Sequence, residues 1–315
     1  MDNWISTREA FGDILSEMGE RYKDLVVFEA DISKSTKTCE FARLFPRRFF
    51  NMGIAEQNMF TVAAGLSTTG LIPYVSTYAV FAAYKACEQI RTFIAYPELN
   101  VKIVVSHGGL TPGTDGVTHQ ATEDLSIMRS IPNLTVAMPA DAVATRALTN
   151  QAYYYKGPVY LRFTRCPIPI IYPKDDENFY FGQARIIKEG GKVSLIAIGD
   201  MVYQALQAAK ELEKEGIYAR VIDMYSLKPL DYDCLEKIAN DSRFIVTIED
   251  NTILGGLGSA VCEFYTEHYN IPVYRIGLQD TFAESGEYNE LLEKYGLSSR
   301  NIVLKVKNIM AQRGI

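Results

Sequence analysis

One acidic residue stands at the edge of a long uncharged segment in the first half of the chain. Glu56 is followed by residues 57–84, which contain no charged side chain. An acid in the first turn of a helix complements the helix dipole by about 0.3–1 kcal/mol, which is the simplest interpretation. A carboxyl among apolar side chains can also hold a proton for acid–base chemistry. Gly70 and Pro73 interrupt the segment, so it predicts a helix, a turn, a strand and a second helix, not a membrane span.

Three aromatic residues recur at every third position where that segment ends, namely Tyr78, Phe81 and Tyr84. This spacing predicts three rings along one helical face. Such a stripe is usually part of a hydrophobic core. It can also form the wall of a slot for a flat heteroaromatic ring, because offset stacking adds about 0.5–1.5 kcal/mol beyond burial.

A glycine-rich loop at residues 106–120 carries His107, Asp115 and His119 directly after a predicted strand. The carboxyl edge of a parallel sheet is where α/β proteins bind ligands, and glycines let the backbone approach a ligand closely. We therefore expect these three side chains to face one polar cavity. The two histidines do not have zinc-ligand spacing, and the five cysteines form no CxxC pair, so the sequence predicts no metal site in this chain.

Short apolar runs alternate with amphipathic segments along the whole chain, which predicts helices covering both faces of parallel sheets. In the first half, strands are predicted at 25–30, 101–106, 134–138 and 158–162, and helices at 6–22, 56–68, 79–93 and 142–155. In the second half, strands are predicted at 193–198, 219–223, 244–248 and 273–276, and helices at 201–215, 231–239, 257–268 and from 287 on.

A proline-rich and then charged segment separates the two alternating regions and predicts a linker. The expected fold class is α/β, with two doubly wound, mainly parallel domains at 1–172 and 187–315 joined by a linker at 173–186. A chain of 315 residues is long enough for two self-sufficient cores.

Composition and net charge indicate which partners and which cell compartment to expect for this protein. The net charge of −6 argues against a general affinity for nucleic acid or an anionic membrane. Five scattered cysteines predict reduced thiols in a cytoplasmic protein. Residues 1–7 lack the pattern of a signal peptide.

Taken in order, these motifs resemble the transketolase family. Gly-Ile-Ala-Glu-Gln around Glu56, the aromatic triplet and the Asp-Gly-x-Thr-His-Gln segment from Asp115 are similar to its thiamine-diphosphate pyrimidine-binding domain. The segments that begin at Ser194 and Glu249 resemble its C-terminal domain. The resemblance covers essentially the whole chain, but only the second half of a full-length transketolase.

The resemblance implies thiamine diphosphate as cofactor. Glu56 matches the acid that hydrogen-bonds the aminopyrimidine ring and favours the imino tautomer, whose exocyclic nitrogen removes the thiazolium proton. Phe81 matches the ring stacked on the pyrimidine, with Tyr78 and Tyr84 beside it, and Asp31 and Ile32 match residues next to the cofactor.

The resemblance also implies a sugar-phosphate substrate and a transferase that moves a two-carbon ketol unit. The phosphate-binding positions match Arg8, Ser35, His107 and Arg165, although Arg162, three residues before Arg165, leaves that match open. Two arginines would favour a phosphorylated substrate by roughly 3–6 kcal/mol. Asp115 and His119 match groups that bond sugar hydroxyls, and with Glu56 and His107 they form the implied catalytic set.

The chain lacks the Gly-Asp-Gly motif with which the family holds a divalent metal, Mg²⁺ or Ca²⁺, and the cofactor's diphosphate. That site belongs to the family's N-terminal domain. The resemblance therefore implies a partner, a separate N-terminal subunit, in an α₂β₂ assembly.

Three alternatives remain open at this point. Deoxyxylulose phosphate synthases share Gly-Ile-Ala-Glu-Gln, and the β subunits of 2-oxoacid dehydrogenases share the split architecture and length. A catalytically silent, partner-binding subunit is the alternative that is not an enzyme.

Overall fold

The computed structural model describes residues 4–314. Two sheets flanked by helices form the fold, and the predicted α/β class is confirmed. The strands of the first half are β1 (Trp4–Ile5), β2 (Leu25–Glu29), β3 (Phe49–Asn51), β4 (Ile72–Tyr78), β5 (Lys102–Ser106), β6 (Thr135–Ala137), β7 (Val159–Arg162) and β8 (Ile168–Pro169). Its helices are α1 (Thr7–Arg21), α2 (Ser33–Thr36), α3 (Cys39–Leu44), α4 (Glu56–Ser67), α5 (Ala79–Lys85), α6 (Cys87–Gln89), α7 (Asp124–Ser130) and α8 (Ala142–Tyr154). Shorter helical turns lie at Pro46–Arg48, Ile90–Ala95 and Gly113–Asp115.

The second half begins after a stretch, residues 170–184, that contains no helix or strand. Its strands are β9 (Arg185–Lys188), β10 (Val193–Ala197), β11 (Ala219–Asp223), β12 (Ser226–Lys228), β13 (Phe244–Thr252) and β14 (Val273–Leu278). Its helices are α9 (Met201–Lys214), α10 (Tyr232–Ala239), α11 (Leu257–His268), α12 (Tyr288–Lys294) and α13 (Ser299–Arg313). The domain bounds at 172 and 187 stay a prediction.

Both large sheets are parallel except at one edge. The first has the order β12-β6-β7-β5-β4-β2-β3, with only β12 antiparallel, and the second has the order β14-β13-β10-β11-β9, with only β9 antiparallel. The strands β1 and β8 form a separate antiparallel pair. In the first sheet Tyr78 pairs with Ser106, so the carboxyl ends of β4 and β5 lie side by side.

The two halves share structure, which differs from the expectation of two self-sufficient cores. Strand β12 follows β11 in the chain, yet it pairs with β6 and covers an edge of the first sheet that would otherwise be unpaired. Both large clusters of buried apolar side chains contain residues of both halves. The core is therefore continuous across the boundary.

The aromatic stripe also differs from its prediction. Tyr78 is the last residue of β4, because the strand continues as long as it pairs with β5, and helix α5 begins only at Ala79. The helix predicted over 79–93 is interrupted at Ala86, and a second helical segment then runs from Cys87 to Ala95. The three rings therefore do not lie along one helical face.

A buried arginine joins the two halves. Arg162, at the end of β7, is fully buried, and its Nε lies 3.3 Å from Asp124 Oδ2. Its Nη2 donates to the carbonyl oxygens of Ala121 and Asp250, each at 2.9 Å. The same Asp250 accepts hydrogen bonds from the Leu110 backbone N–H through both carboxylate oxygens, at 3.1 and 2.9 Å. Strand β13 thus holds the start of the 106–120 loop.

The close approach of that loop to β13 requires a glycine. Gly109 has a φ of +59°, and a Cβ added there would overlap the Asp250 carboxylate. We expect Gly109→Ala to lower the free energy of unfolding by about 1–3 kcal/mol more than Gly70→Ala. Gly70 is a matched control, because its φ is also positive, at +93°, but a Cβ there meets open space. Urea unfolding of both variants measures the difference, and equal losses would contradict the contact with Asp250.

Candidate active site

Glu56 begins helix α4, as predicted, and its side chain is only 3% exposed. The fully buried side chains of Met59 and Phe60 follow it on the same helix. Lys85 Nζ, at the end of α5, donates to Glu56 Oε2 and lies 4.9 Å from the centroid of the Phe81 ring. A buried carboxyl, a cation and an aromatic face therefore meet at one point.

Four rings gather at the carboxyl edge of the first sheet. Tyr78 stacks on Phe81 with ring centroids 5.5 Å apart, and it stacks on His107 at 3.9 Å. His119 lies edge-on to Tyr78 at 6.0 Å and to Phe81 at 5.8 Å. The pairing of β4 with β5 explains the contact between Tyr78 and His107, since each ring leaves the end of one of these neighbouring strands.

Tyr84 lies apart from this stack. Its side chain is 58% exposed. Partial burial and the neighbouring Glu123 raise the pKa of the Tyr84 hydroxyl to about 12. The structure therefore brings two of the three predicted aromatic residues together and leaves the third at the surface.

His107 is buried in an unusual backbone conformation, with a φ of +63°. Its Nδ1 lies 2.8 Å from the Ser106 hydroxyl. Burial, together with the smaller effect of the charges of Arg8, Arg165 and His119, lowers the pKa of the His107 imidazole to about 3. The imidazole is therefore neutral near pH 7 and takes part in hydrogen bonds without carrying a charge.

The predicted phosphate-binding arginines lie close to this histidine. Arg8 Nη1 donates to the Ser35 carbonyl oxygen at 2.9 Å, and Arg165 Nη1 lies 3.2 Å from Asp115 Oδ2. Burial lowers the pKa of the Arg8 guanidinium, and the positive charge of Arg165 lowers it too. Because Arg162 is fully buried, Arg165 is the better candidate of that pair.

The buried side chain of Glu29 holds the loop that carries Asp31 and Ile32. Glu29 Oε2 accepts from the Ile32 backbone N–H at 2.8 Å, and its Oε1 accepts from Thr36 Oγ1 at 2.6 Å. Burial raises the pKa of the Glu29 carboxyl to about 7. Exposed Asp31 has a φ of +67° and exchanges two hydrogen bonds with the Asn51 side chain. Sequence reasoning missed Glu29, although an acid at the end of an apolar strand was a visible signal.

The second half of the chain positions the loop that carries the two histidines. Gln120 Nε2 donates to the Glu284 carbonyl oxygen at 3.0 Å, and the Thr252 N–H donates to the Thr122 carbonyl oxygen at 2.6 Å.

Glu249 caps helix α11 by accepting from the N–H groups of Leu257 and Gly258. Because the Glu249 carboxyl lies against the backbone at the start of α11, the segment between β13 and α11 is rich in glycine. This segment forms the turn from the strand to the helix.

Metal-ligating clusters and membrane-spanning helices are both absent from residues 4–314. No group of three or more His, Cys, Asp or Glu side chains in this part of the chain could hold a metal ion. Within the same residues, every helix is too short or too polar to cross a membrane.

The buried state of His107 predicts a pH dependence of stability. Its pKa is lowered from an ordinary 6.5, so the unfolded chain binds a proton more readily than the folded chain when the pH falls. Its contribution to stability is present above about pH 6.5 and is lost progressively toward pH 3. We expect the difference in unfolding free energy between wild type and His107→Asn to fall by about 1.4 kcal/mol from about pH 7.5 to about pH 5.5.

Urea unfolding at the two pH values measures this difference, and asparagine is chosen because it tolerates a positive φ. A difference that does not change with pH would show that His107 is not buried as a neutral imidazole.

Comparisons with known proteins agree with this geometry. Residues 3–169 match the family model "Transketolase, pyrimidine binding domain", and residues 182–302 match "Transketolase, C-terminal domain". A putative transketolase C-terminal section from Methanocaldococcus jannaschii is 44% identical over 96% of this chain and 96% of its own length. A 6-deoxy-6-sulfo-D-fructose transketolase subunit from a Clostridium species is 38% identical over 96% of this chain and 93% of its own length.

A solved structure, described as a split gene transketolase in an inactive beta4 tetramer, superposes with a TM-score of 0.89. It is 50% identical and covers 97% of this chain and 98% of its own. The predictions of family, fold class and a separate transketolase subunit are confirmed. The chain belongs to the transketolase family, as a subunit of a transferase that carries the pyrimidine-binding and C-terminal domains on a polypeptide of their own.

Proposed function

We propose that this subunit, together with a separate N-terminal subunit, uses thiamine diphosphate to transfer a two-carbon ketol unit between sugar phosphates. One observation carries the proposal, namely that Glu56 is buried at the start of α4 beside the stacked rings of Tyr78 and Phe81. Relatives whose names describe transketolase subunits support the same activity.

The side chains at this point fit an aminopyrimidine ring. Lys85 Nζ already lies against both Glu56 and the face of Phe81, so this place accepts a group that bonds a carboxyl and stacks on an aromatic ring. When bound, thiamine diphosphate supplies a carbanion centre that accepts and passes on the two-carbon unit. In this chain Phe81 and Tyr78 would hold the ring, and Glu56 would hold a proton at its carboxyl, with Asp31 and Ile32 nearby.

The loop residues would bind and orient the sugar. Neutral His107 can hydrogen-bond a hydroxyl group without adding charge, and His119 offers a second imidazole beside the same rings. Asp115 is tied to Arg165, so it can accept from a hydroxyl while keeping that arginine in place. The phosphate would be received by Arg8, Arg165 and Ser35, with the two guanidinium groups providing charge-assisted hydrogen bonds.

Exposed apolar side chains on α4 and on neighbouring elements of the first half support an N-terminal partner subunit at this face. Ile54, just before α4, is 78% exposed, and Tyr96, just after the helical turn at Ile90–Ala95, is 82% exposed. Large apolar groups of this kind mark contact surfaces when they cluster. We propose that the partner covers them in an α₂β₂ assembly and contributes the Mg²⁺ or Ca²⁺ ion. Further exposed side chains on neighbouring elements of the first half are Phe50, Val62, Tyr84 and Phe93.

The isolated chain should then be inactive, as is the β4 tetramer of the similar split gene transketolase.

We propose a cytoplasmic location, which is supported by five cysteines that are all free.

Pyruvate separates this proposal from the alternative enzymes. Deoxyxylulose phosphate synthases and 2-oxoacid dehydrogenases act on 2-oxoacids, so decarboxylation of pyruvate by the assembled complex would favour one of them. A complex that binds thiamine diphosphate but turns over no sugar phosphate would favour a silent, partner-binding subunit.

Substitution of the buried acid tests the catalytic role directly. We expect Glu56→Gln to lower kcat for ketol transfer by about 10²–10⁴-fold, because an amide keeps the shape but cannot exchange the proton. The assay uses the chain assembled with its N-terminal subunit. Glu211→Gln is the control, since Glu211 forms an exposed ion pair with Lys214 at 2.7 Å on α9, and its rate should equal wild type. A Glu56→Gln rate within a few-fold of wild type would refute the mechanism.

A second substitution tests phosphate recognition. Arg165→Met should raise KM for a phosphorylated sugar by about 10–100-fold, the equivalent of one charge-assisted contact, and change kcat little. Arg300→Met is the control, because Arg300 is 80% exposed and pairs only loosely with Glu293, at 3.9 Å, so KM should stay unchanged. If Arg165→Met raises KM equally for phosphorylated and unphosphorylated sugars, Arg165 does not bind the phosphate.

A further inference from the structure

We propose that the Lys85 side chain occupies the aminopyrimidine position of the unloaded subunit and must leave it before the cofactor binds. Lys85 would then set the affinity of the enzyme for thiamine diphosphate through competition for Glu56. This inference rests on the proposed function, and it assigns a role to a residue that the sequence motifs did not single out.

Lys85 lies where the aminopyrimidine would bind. Its Nζ donates to Glu56 Oε2 and lies 4.9 Å from the Phe81 ring centroid. These are the carboxyl and the ring proposed to hold the aminopyrimidine. A cation and an aminopyrimidine cannot both lie between the same two groups, so one must displace the other.

The burial of Glu56 makes a partner necessary when the site is empty. Glu56 is 3% exposed, and a carboxylate at such a position is costly without a counter-charge or a hydrogen-bond partner. Lys85 is the one side chain in the described residues that forms a hydrogen bond or an ion pair with Glu56. Its ammonium thus stabilises the empty site, where no cofactor satisfies the acid.

In the isolated chain, Lys85 can also leave this contact easily. It is the last residue of α5, and 44% of its side chain is exposed. A lysine with a flexible four-carbon stem can move its ammonium into water with little loss, whereas buried Glu56 cannot follow. The pair therefore stabilises the empty subunit and can still be displaced.

Removal of the Lys85 charge should change stability and cofactor affinity in opposite directions. Lys85→Met keeps the apolar stem and removes the charge, so the isolated chain should melt at a lower temperature, because Glu56 loses its partner. The assembled complex should nevertheless bind thiamine diphosphate about three- to tenfold more tightly, because nothing competes for Glu56. A merely structural lysine would lower both the melting temperature and the affinity, and Lys85→Arg should preserve both.

Calorimetric titration of the assembled two-subunit complex with thiamine diphosphate and Mg²⁺ measures Kd. Lys307→Met is the matched control, because Lys307 is equally exposed, at 43%, and pairs with Glu215 at 2.6 Å in the second half of the chain. Its Kd should equal wild type. In a Glu56→Gln background, Lys85→Met should change Kd less than twofold, since the two residues act through one contact. Lys85→Gln replaces Lys85→Met if the latter does not assemble.

The possible outcomes distinguish the role of Lys85 from the proposed function. An unchanged or weaker Kd for Lys85→Met, in a wild-type complex that binds the cofactor and transfers ketol units, overturns the role of Lys85 and leaves the proposed function intact. A wild-type complex that does not bind thiamine diphosphate overturns both.

Discussion

The buried Arg162 guanidinium connects the carboxyl edge of the first sheet, where the candidate active site lies, to the second half of the chain. Arg162 carries a full charge at zero exposure, and such a charge is tolerated only when it is paired and hydrogen-bonded. Its partners are Asp124 on α7, the Ala121 carbonyl in the loop region and the Asp250 carbonyl on β13. Separating the halves would take the Asp250 carbonyl away from this charge. The position of the loop with His107 therefore depends on the contact between the two halves.

The buried acids around Arg162 have raised pKa values, and this limits the negative charge that is buried between the two halves. Burial, with the negative charge of Asp200 nearby, raises the pKa of the Asp250 carboxyl, and burial raises the pKa of Glu249 to about 7. Protonated carboxyls donate and accept hydrogen bonds without the cost of a buried negative charge. A raised pKa lets Asp250 take up a proton more readily than an exposed carboxyl does, which lowers the cost of burying it beside other acids. Burial therefore both holds the loop in position and raises the pKa of Asp250 and Glu249.

The sequence predicts the elements that depend on contacts between neighbouring residues, but not those that depend on residues far apart in the chain. Strand β11 and helix α11 have the predicted bounds, because apolar periodicity and glycine signals are local. Strands β1 and β12 have two and three residues, too short for a periodic pattern, and they exist because a distant partner pairs with them. The position of Tyr78 in a strand depends on its pairing with β5. The contact of Glu56 with Lys85 likewise depends on where α5 ends, which no motif around either residue specifies.

The low pKa of His107, in the loop at residues 106–120, has causes of different size. Burial is the largest cause of the low pKa of His107, ahead of the charges of Arg8 and Arg165. A phosphate between these arginines would screen their charge and remove the smaller contribution, but it would not return the imidazole to water. The main cause of the low pKa of His107 would therefore persist with an anion bound. Under the proposed function His107 would place a hydrogen bond at a fixed point. Acid–base work would fall to Glu56, whose buried carboxyl is held by Lys85, a partner that can leave.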